Sequence, residues 1–124
     1  MAVTDYDSIG DEKLRDITGE LVSRFADDFI IGFLFLDRNL ENIARREYQL
    51  AAVHLGGPVK YEGRPLPRVH RPLQINKGQF RRRLAIVRTV LAEFEVDPAI
   101  IERWVAYEAS LEKSIVNGDD CIPE

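Results

Sequence analysis

The sequence predicts an all-α domain with four main helices and one long loop that carries a histidine. Three observations lead there. Apolar residues recur at three- and four-residue spacing over most of the chain, the period that gathers them on one face of a helix. Strand-like alternation appears nowhere at useful length. Turn-forming residues gather at a few points, above all at Gly56-Gly57-Pro58 and in the run fenced by Pro65, Pro67 and Pro72.

Residues 1–8 read as a loose start. Leu14, Ile17, Leu21, Val22 and Phe25 then mark a helical pattern over about 11 to 35. A break is expected near Thr18-Gly19, because glycine is a poor helix former. Asp37-Arg38-Asn39 stops the pattern, and Asn39 is placed to cap a second helix over about 40 to 55. Gly56-Gly57-Pro58 ends that helix, glycine supplying a left-handed cap and proline blocking continuation. Residues 58 to 76 are loop-like, with a helical turn around Arg68 to His70. The third helix covers about 77 to 94, with Phe80, Leu84, Val87, Leu91 and Phe94 as its apolar stripe. Asp97-Pro98 opens the fourth, aspartate as N-cap and proline in the first turn. Its buried face, with Ile101, Trp104, Val105 and Leu111, fades near Ile115, and a polar tail spans 117–124.

The length of 124 residues suits one domain with one core. Apolar residues make up 45% and charged residues 31%, a globular balance. A net charge of -4 gives no reason to expect a nucleic-acid or anionic-membrane partner, and the basic cluster Arg81-Arg82-Arg83 is local. The longest apolar run, 29 to 36, is interrupted by Gly32 and is far too short to span a bilayer. No basic-then-apolar leader opens the chain, and the single cysteine, Cys121, can form no internal disulfide. The expected compartment is a reducing cytoplasm.

Two charges break the amphipathic pattern. On a helical wheel Arg83 falls inside the arc of Phe80, Leu84, Val87, Val90, Leu91 and Phe94. Glu47 and His54 fall in the arc of Leu40, Ile43, Leu50 and Ala51. A buried charge without a partner costs several kcal/mol, so each must be paired or reach water. Either they are polar groups in a ligand pocket, or Arg83 snorkels outward and Glu47 lies at a helix edge. His70 is fixed in its proline-rich run, and a neutral imidazole is a common metal ligand, though a loop histidine is more often simply solvated. His54 reads as a surface or helix-end residue, and Tyr61 as loop packing with a partner for its hydroxyl. No nucleophile constellation, phosphate loop, CxxC or HExxH motif appears. Without a cofactor the chain has little chemistry to offer.

An ordered set of residues changes that picture. Tyr6-Asp7-Ser8-Ile9-Gly10 lies near the start, and Phe35 comes after the second helical stretch, the part beyond the expected break at Gly19. Leu55-Gly56-Gly57-Pro58, Tyr61-x-Gly63 and Val69-His70 come next, with Ile75 and Phe80 beyond them. In this the chain resembles the truncated, two-over-two haemoglobins, most closely the Gly-Gly-Pro-containing, group I-like members. The resemblance implies a single globin domain over 1–124 and a two-over-two α-helical sandwich enclosing haem b. It makes His70 the proximal iron ligand, and places Phe35, Ile75, Phe80, Leu84 and Val87 against the porphyrin. Val22, Ile43, Glu47 and Arg83 would line the distal side, and Arg64 and Arg68 would meet the propionates.

The departures matter as much. Val22 stands where many relatives carry a tyrosine, and Ile43 at the distal gate cannot donate a hydrogen bond. Glu47 replaces a common glutamine, and Arg83 a tryptophan of other subgroups. A Glu47–Arg83 ion pair beside an open iron site is therefore expected, with weak oxygen retention and a preference for anions. The implied function is binding of a small diatomic or anionic ligand: O2, NO or CO, or an anion on ferric iron. Alternatives are a haem-dependent peroxidase or nitric-oxide-oxidising enzyme using Glu47 and Arg83, and a haem-free interaction or sensor module. A monomer or weak homodimer is expected, and the sequence names no reductase.

Overall fold

A computed structural model describes residues 3–118. The chain does not start loosely. Helix α1, Asp5–Ile9, is closed by a capping box in which the Thr4 hydroxyl accepts from the Asp7 amide and the Asp7 carboxylate accepts from the Thr4 amide. Helix α2, Asp11–Asp27, runs unbroken through Gly19. Thr18, Leu21 and Val22 around that glycine are buried, and burial outweighs its weak helix propensity. The break comes instead at Asp28, whose carboxylate accepts from the Ile30 and Ile31 amides at 3.0 and 3.1 Å. A 3-10 turn, Gly32–Phe35, follows. A Cβ on Gly32 would lie 2.6 Å from the Ala26 carbonyl oxygen, so this turn requires glycine.

Helix α3, Leu40–His54, starts at Asn39, whose side chain caps the Asn42 amide, and ends at Gly56 with φ +90°. Helix α4, Leu66–His70, is a short turn launched by Pro65. Helix α5, Lys77–Glu93, opens with a second capping box, Asn76 with Gln79. Helix α6, Pro98–Ser110, has the expected Asp97 cap, and α7, Glu112–Ile115, closes the described helices.

Helix α2 pairs with α3, α5 pairs with α6, and α2 crosses α5. The core between the pairs is filled by Leu14, Ile17, Leu21, Phe25, Val87, Val90, Leu91 and Trp104, all within 1% of full burial. A smaller cluster of Ile75, Phe80 and Ile115 closes the far end. There the chain departs from the sequence pattern: Ile115 is buried, and Val116 makes a bridge with Ile75. The Asn117 and Gly118 amides both donate to the Ile75 carbonyl, so the first residues of the polar tail are fastened down. Cys121 lies outside the described residues. No helix among the described residues is long and apolar enough to cross a membrane.

Candidate functional site

A cavity of about 790 Å³ opens where the 3-10 turn, α3, the 58–76 loop and α5 converge. Most of the residues expected to form a site are on its wall: Phe35, Ile43, Glu47, His70, Ile75, Phe80 and Arg83. Arg64 and Arg68 stand on the same wall, and both are exposed to solvent.

Three expected residues are not there. Val87 is fully buried in the main core, and Leu84 packs against the Ile75–Phe80–Ile115 cluster. They share the apolar stripe of α5, but that stripe also serves these two clusters, so only part of it borders the cavity. Val22 is buried on α2 away from the cavity, and Phe25, about one turn further on, takes its place. The Phe25 ring stacks on Phe35 at 5.9 Å between centroids.

His70 ends α4, and its Nδ1–H donates to the Leu66 carbonyl, 2.8 Å away, one turn back along that helix. With Nδ1 carrying the proton, Nε2 keeps its lone pair for another partner. Burial pushes the imidazole below the ordinary histidine value, which keeps it neutral and able to ligate. The Leu66 hydrogen bond opposes that shift only in part.

Arg83 does point inward, and it is paired. Its terminal nitrogens donate to both Glu47 oxygens, at 2.9 and 2.8 Å. Its opposite edge is engaged as well: Nε and one terminal nitrogen donate to Glu108, at 2.9 and 3.1 Å. Trp104 Nε1 adds a hydrogen bond to Glu108 at 3.3 Å. The guanidinium also lies over the Phe25 ring, 4.7 Å from its centroid. Burial alone would lower the Arg83 pKa, but the two carboxylates raise it well above the ordinary arginine value. Burial alone would raise the Glu108 pKa, but Arg83 overcomes this and holds it below the carboxylate range. Arg83 and Glu108 are therefore both charged.

Glu108 is the residue that sequence reasoning missed. The signal was present: Ile101, Trp104, Glu108 and Leu111 follow each other at three- and four-residue steps, so the glutamate lies in the apolar stripe of α6. His54 is the helix-end residue expected, the last of α3, but it is not on the surface. Its ring stacks on Tyr107 at 4.3 Å and meets Trp104 edge-on at 5.4 Å. It borders a second, small cavity of about 30 Å³, beside Glu47, His70, Arg83 and Glu108. Tyr61 finds its hydroxyl partner as expected, the Arg64 carbonyl at 2.7 Å.

Among the described residues no group of three or more His, Cys, Asp and Glu side chains is arranged to cage a metal ion. A single neutral imidazole on an apolar-walled cavity is suited instead to completing the coordination of a metal already held in a flat macrocycle. Leu34, Phe35, Ile75 and Phe80 offer the apolar wall such a group needs, and Arg64 and Arg68 offer charge for its carboxylates.

Residues 4–117 match the family model of bacterial-like globins. Among solved structures, the ferric truncated hemoglobin from Tetrahymena pyriformis aligns with a TM-score of 0.87 at 16% identity, covering 93% of this chain and 99% of that one. The group II truncated hemoglobin from Bacillus anthracis aligns with a TM-score of 0.86 at 22% identity, covering 98% of this chain and 97% of that one. No curated protein matches the chain. At these identities the likeness to the solved structures is one of fold, and the group I-like subgroup expected from the Gly-Gly-Pro loop is not confirmed by them.

Proposed function

Because this chain belongs to the bacterial-like globin family, we propose that it binds haem b through His70 Nε2 and holds a small ligand on the opposite side of that group. The observation that carries this reading is the His70 imidazole, oriented by Leu66 and set on the wall of the 790 Å³ cavity. When bound, haem would supply an iron able to take up a small ligand. The chain's residues do the rest. Phe35, Ile75 and Phe80 would hold the macrocycle and keep water from it, and the exposed Arg64 and Arg68 would neutralise its carboxylates.

On the distal side, Ile43 donates no hydrogen bond and the Glu47 carboxylate only accepts. Of Ile43, Glu47 and Arg83, only Arg83 carries hydrogen-bond donors. Val22 gives α2 no tyrosine hydroxyl to grip dioxygen, and the Tyr61 hydroxyl on the cavity wall is taken by the Arg64 carbonyl, so fast oxygen release and ready oxidation to the ferric state are expected.

The test is the absorption spectrum of wild type and His70→Ala, each supplied with haem, in ferric and ferrous-CO forms. An intense Soret band that shifts with CO, and that changes when His70 is removed, is the expected result. Absence of a stable band in the wild type would overturn the reading and leave a globin frame acting as an interaction module.

A further inference from the structure

An arginine facing a ligand pocket would ordinarily attract anions. Here its donors are already engaged. A guanidinium has five N–H groups. Two are taken by Glu47 and two by Glu108, which leaves one. The charges do not cancel either. Glu47 and Glu108 against Arg83 leave one net negative charge, on side chains only 18%, 9% and 18% exposed. Solvent screens such a charge poorly.

Glu108 borders the small cavity behind Arg83 but not the 790 Å³ cavity, so it acts on the pocket through the arginine. We propose that Glu108 is a positioning residue that sets ligand specificity: it holds Arg83 against Glu47 and excludes anions from the distal side, so that the pocket selects neutral diatomic ligands. This rests on the haem reading above, and it replaces the anion preference expected from Arg83 and Glu47 alone. The same buried negative charge favours the ferric cation over the neutral ferrous state.

The experiment uses haem-loaded wild type, Glu108→Gln and Glu108→Asp. Azide is titrated into the ferric forms and CO into the ferrous forms, both followed at the Soret band, and the reduction potential is measured for each. Glu108→Gln is expected to bind azide roughly tenfold or more tightly, as removal of one poorly screened charge requires. Its potential rises, CO affinity hardly moves, and Glu108→Asp stays near wild type. Unchanged azide affinity in Glu108→Gln, or an equal change for CO, overturns the inference.

A second variant covers the case in which Glu108→Gln does not fold. Arg83→Met combined with Glu108→Met removes the deeper pair and strands only Glu47, which faces the 790 Å³ cavity and remains there to repel anions. Azide affinity near wild type supports the proposal. A tenfold loss would show that Arg83 binds the anion in the wild type and would overturn it. Failure of the haem reading looks different: it is the loss of the His70-dependent Soret band in every variant.

Discussion

His54 carries a pH dependence that its sequence position does not announce. Its Nε2 is buried without a hydrogen-bond partner, and its ring is held between Trp104 and Tyr107. Burial pushes its pKa from 6.5 down to about 4, against weaker upward pulls from Glu108 and Asp5. The unfolded chain therefore takes up a proton between these two values that the folded chain refuses. This stability is full above pH 6.5 and is lost as pH falls toward 4, a cost of about 3 kcal/mol. Urea titrations of the wild type at pH 7 and pH 4.5 are expected to show that loss, and His54→Phe should remove most of it. Equal pH dependence in the two proteins would mean that another group is responsible. At this scale the helical wheel gives the direction of Arg83 and Glu47 correctly, because each is one charge in an otherwise apolar arc. The wheel puts His54 in the inward arc too, but periodicity does not say whether a helix end is covered: that is decided by what packs over it, here Trp104 and Tyr107 from α6.

The elements are mostly legible in the sequence, and their exceptions have plain causes. Asn39 and Asp97 cap the helices that the sequence assigns to them, and Asn76 caps the third where the sequence reading named no cap. Helix α1 escapes the sequence reading although Thr4 and Asp7 stand at capping-box spacing, because the segment has no apolar stripe to announce a helix. The expected break at Gly19 gives propensity too much weight. A Cβ at Gly19 would meet nothing within 4 Å, so Gly19→Ala should stabilise the protein by about 1 kcal/mol. Gly32→Ala should do the reverse, by roughly 1–3 kcal/mol, since its Cβ would meet the Ala26 carbonyl at 2.6 Å. Thermal midpoints of the two variants check both signs at once. Opposite shifts are expected, and two shifts of the same sign would contradict the account of this helix and its terminus. The same Gly32 turn explains the misplaced Val22. The cavity lies beside the end of α2, where Phe25 reaches Phe35, rather than beside its middle.

Across the whole molecule, Arg83 joins three helices: Glu47 is on α3, Arg83 on α5 and Glu108 on α6. No sequence window contains this arrangement: periodicity turns each of the three charges inward on its own helix, but that they meet emerges only in three dimensions. Arg83→Leu strands two mostly buried carboxylates and should cost about 3 kcal/mol or more in the haem-free protein, measured by denaturant titration. A change below about 1 kcal/mol would mean that water compensates the pair.

The brace consists of protein groups alone, so the walls it spaces do not depend on an occupant. That makes the pocket a mould rather than a wrapping. Haem should enter a protein that is already folded, with little change in helical circular dichroism. Uptake should then be limited by encounter at the mouth, its rate rising in proportion to haem concentration instead of levelling off at the speed of a refolding step.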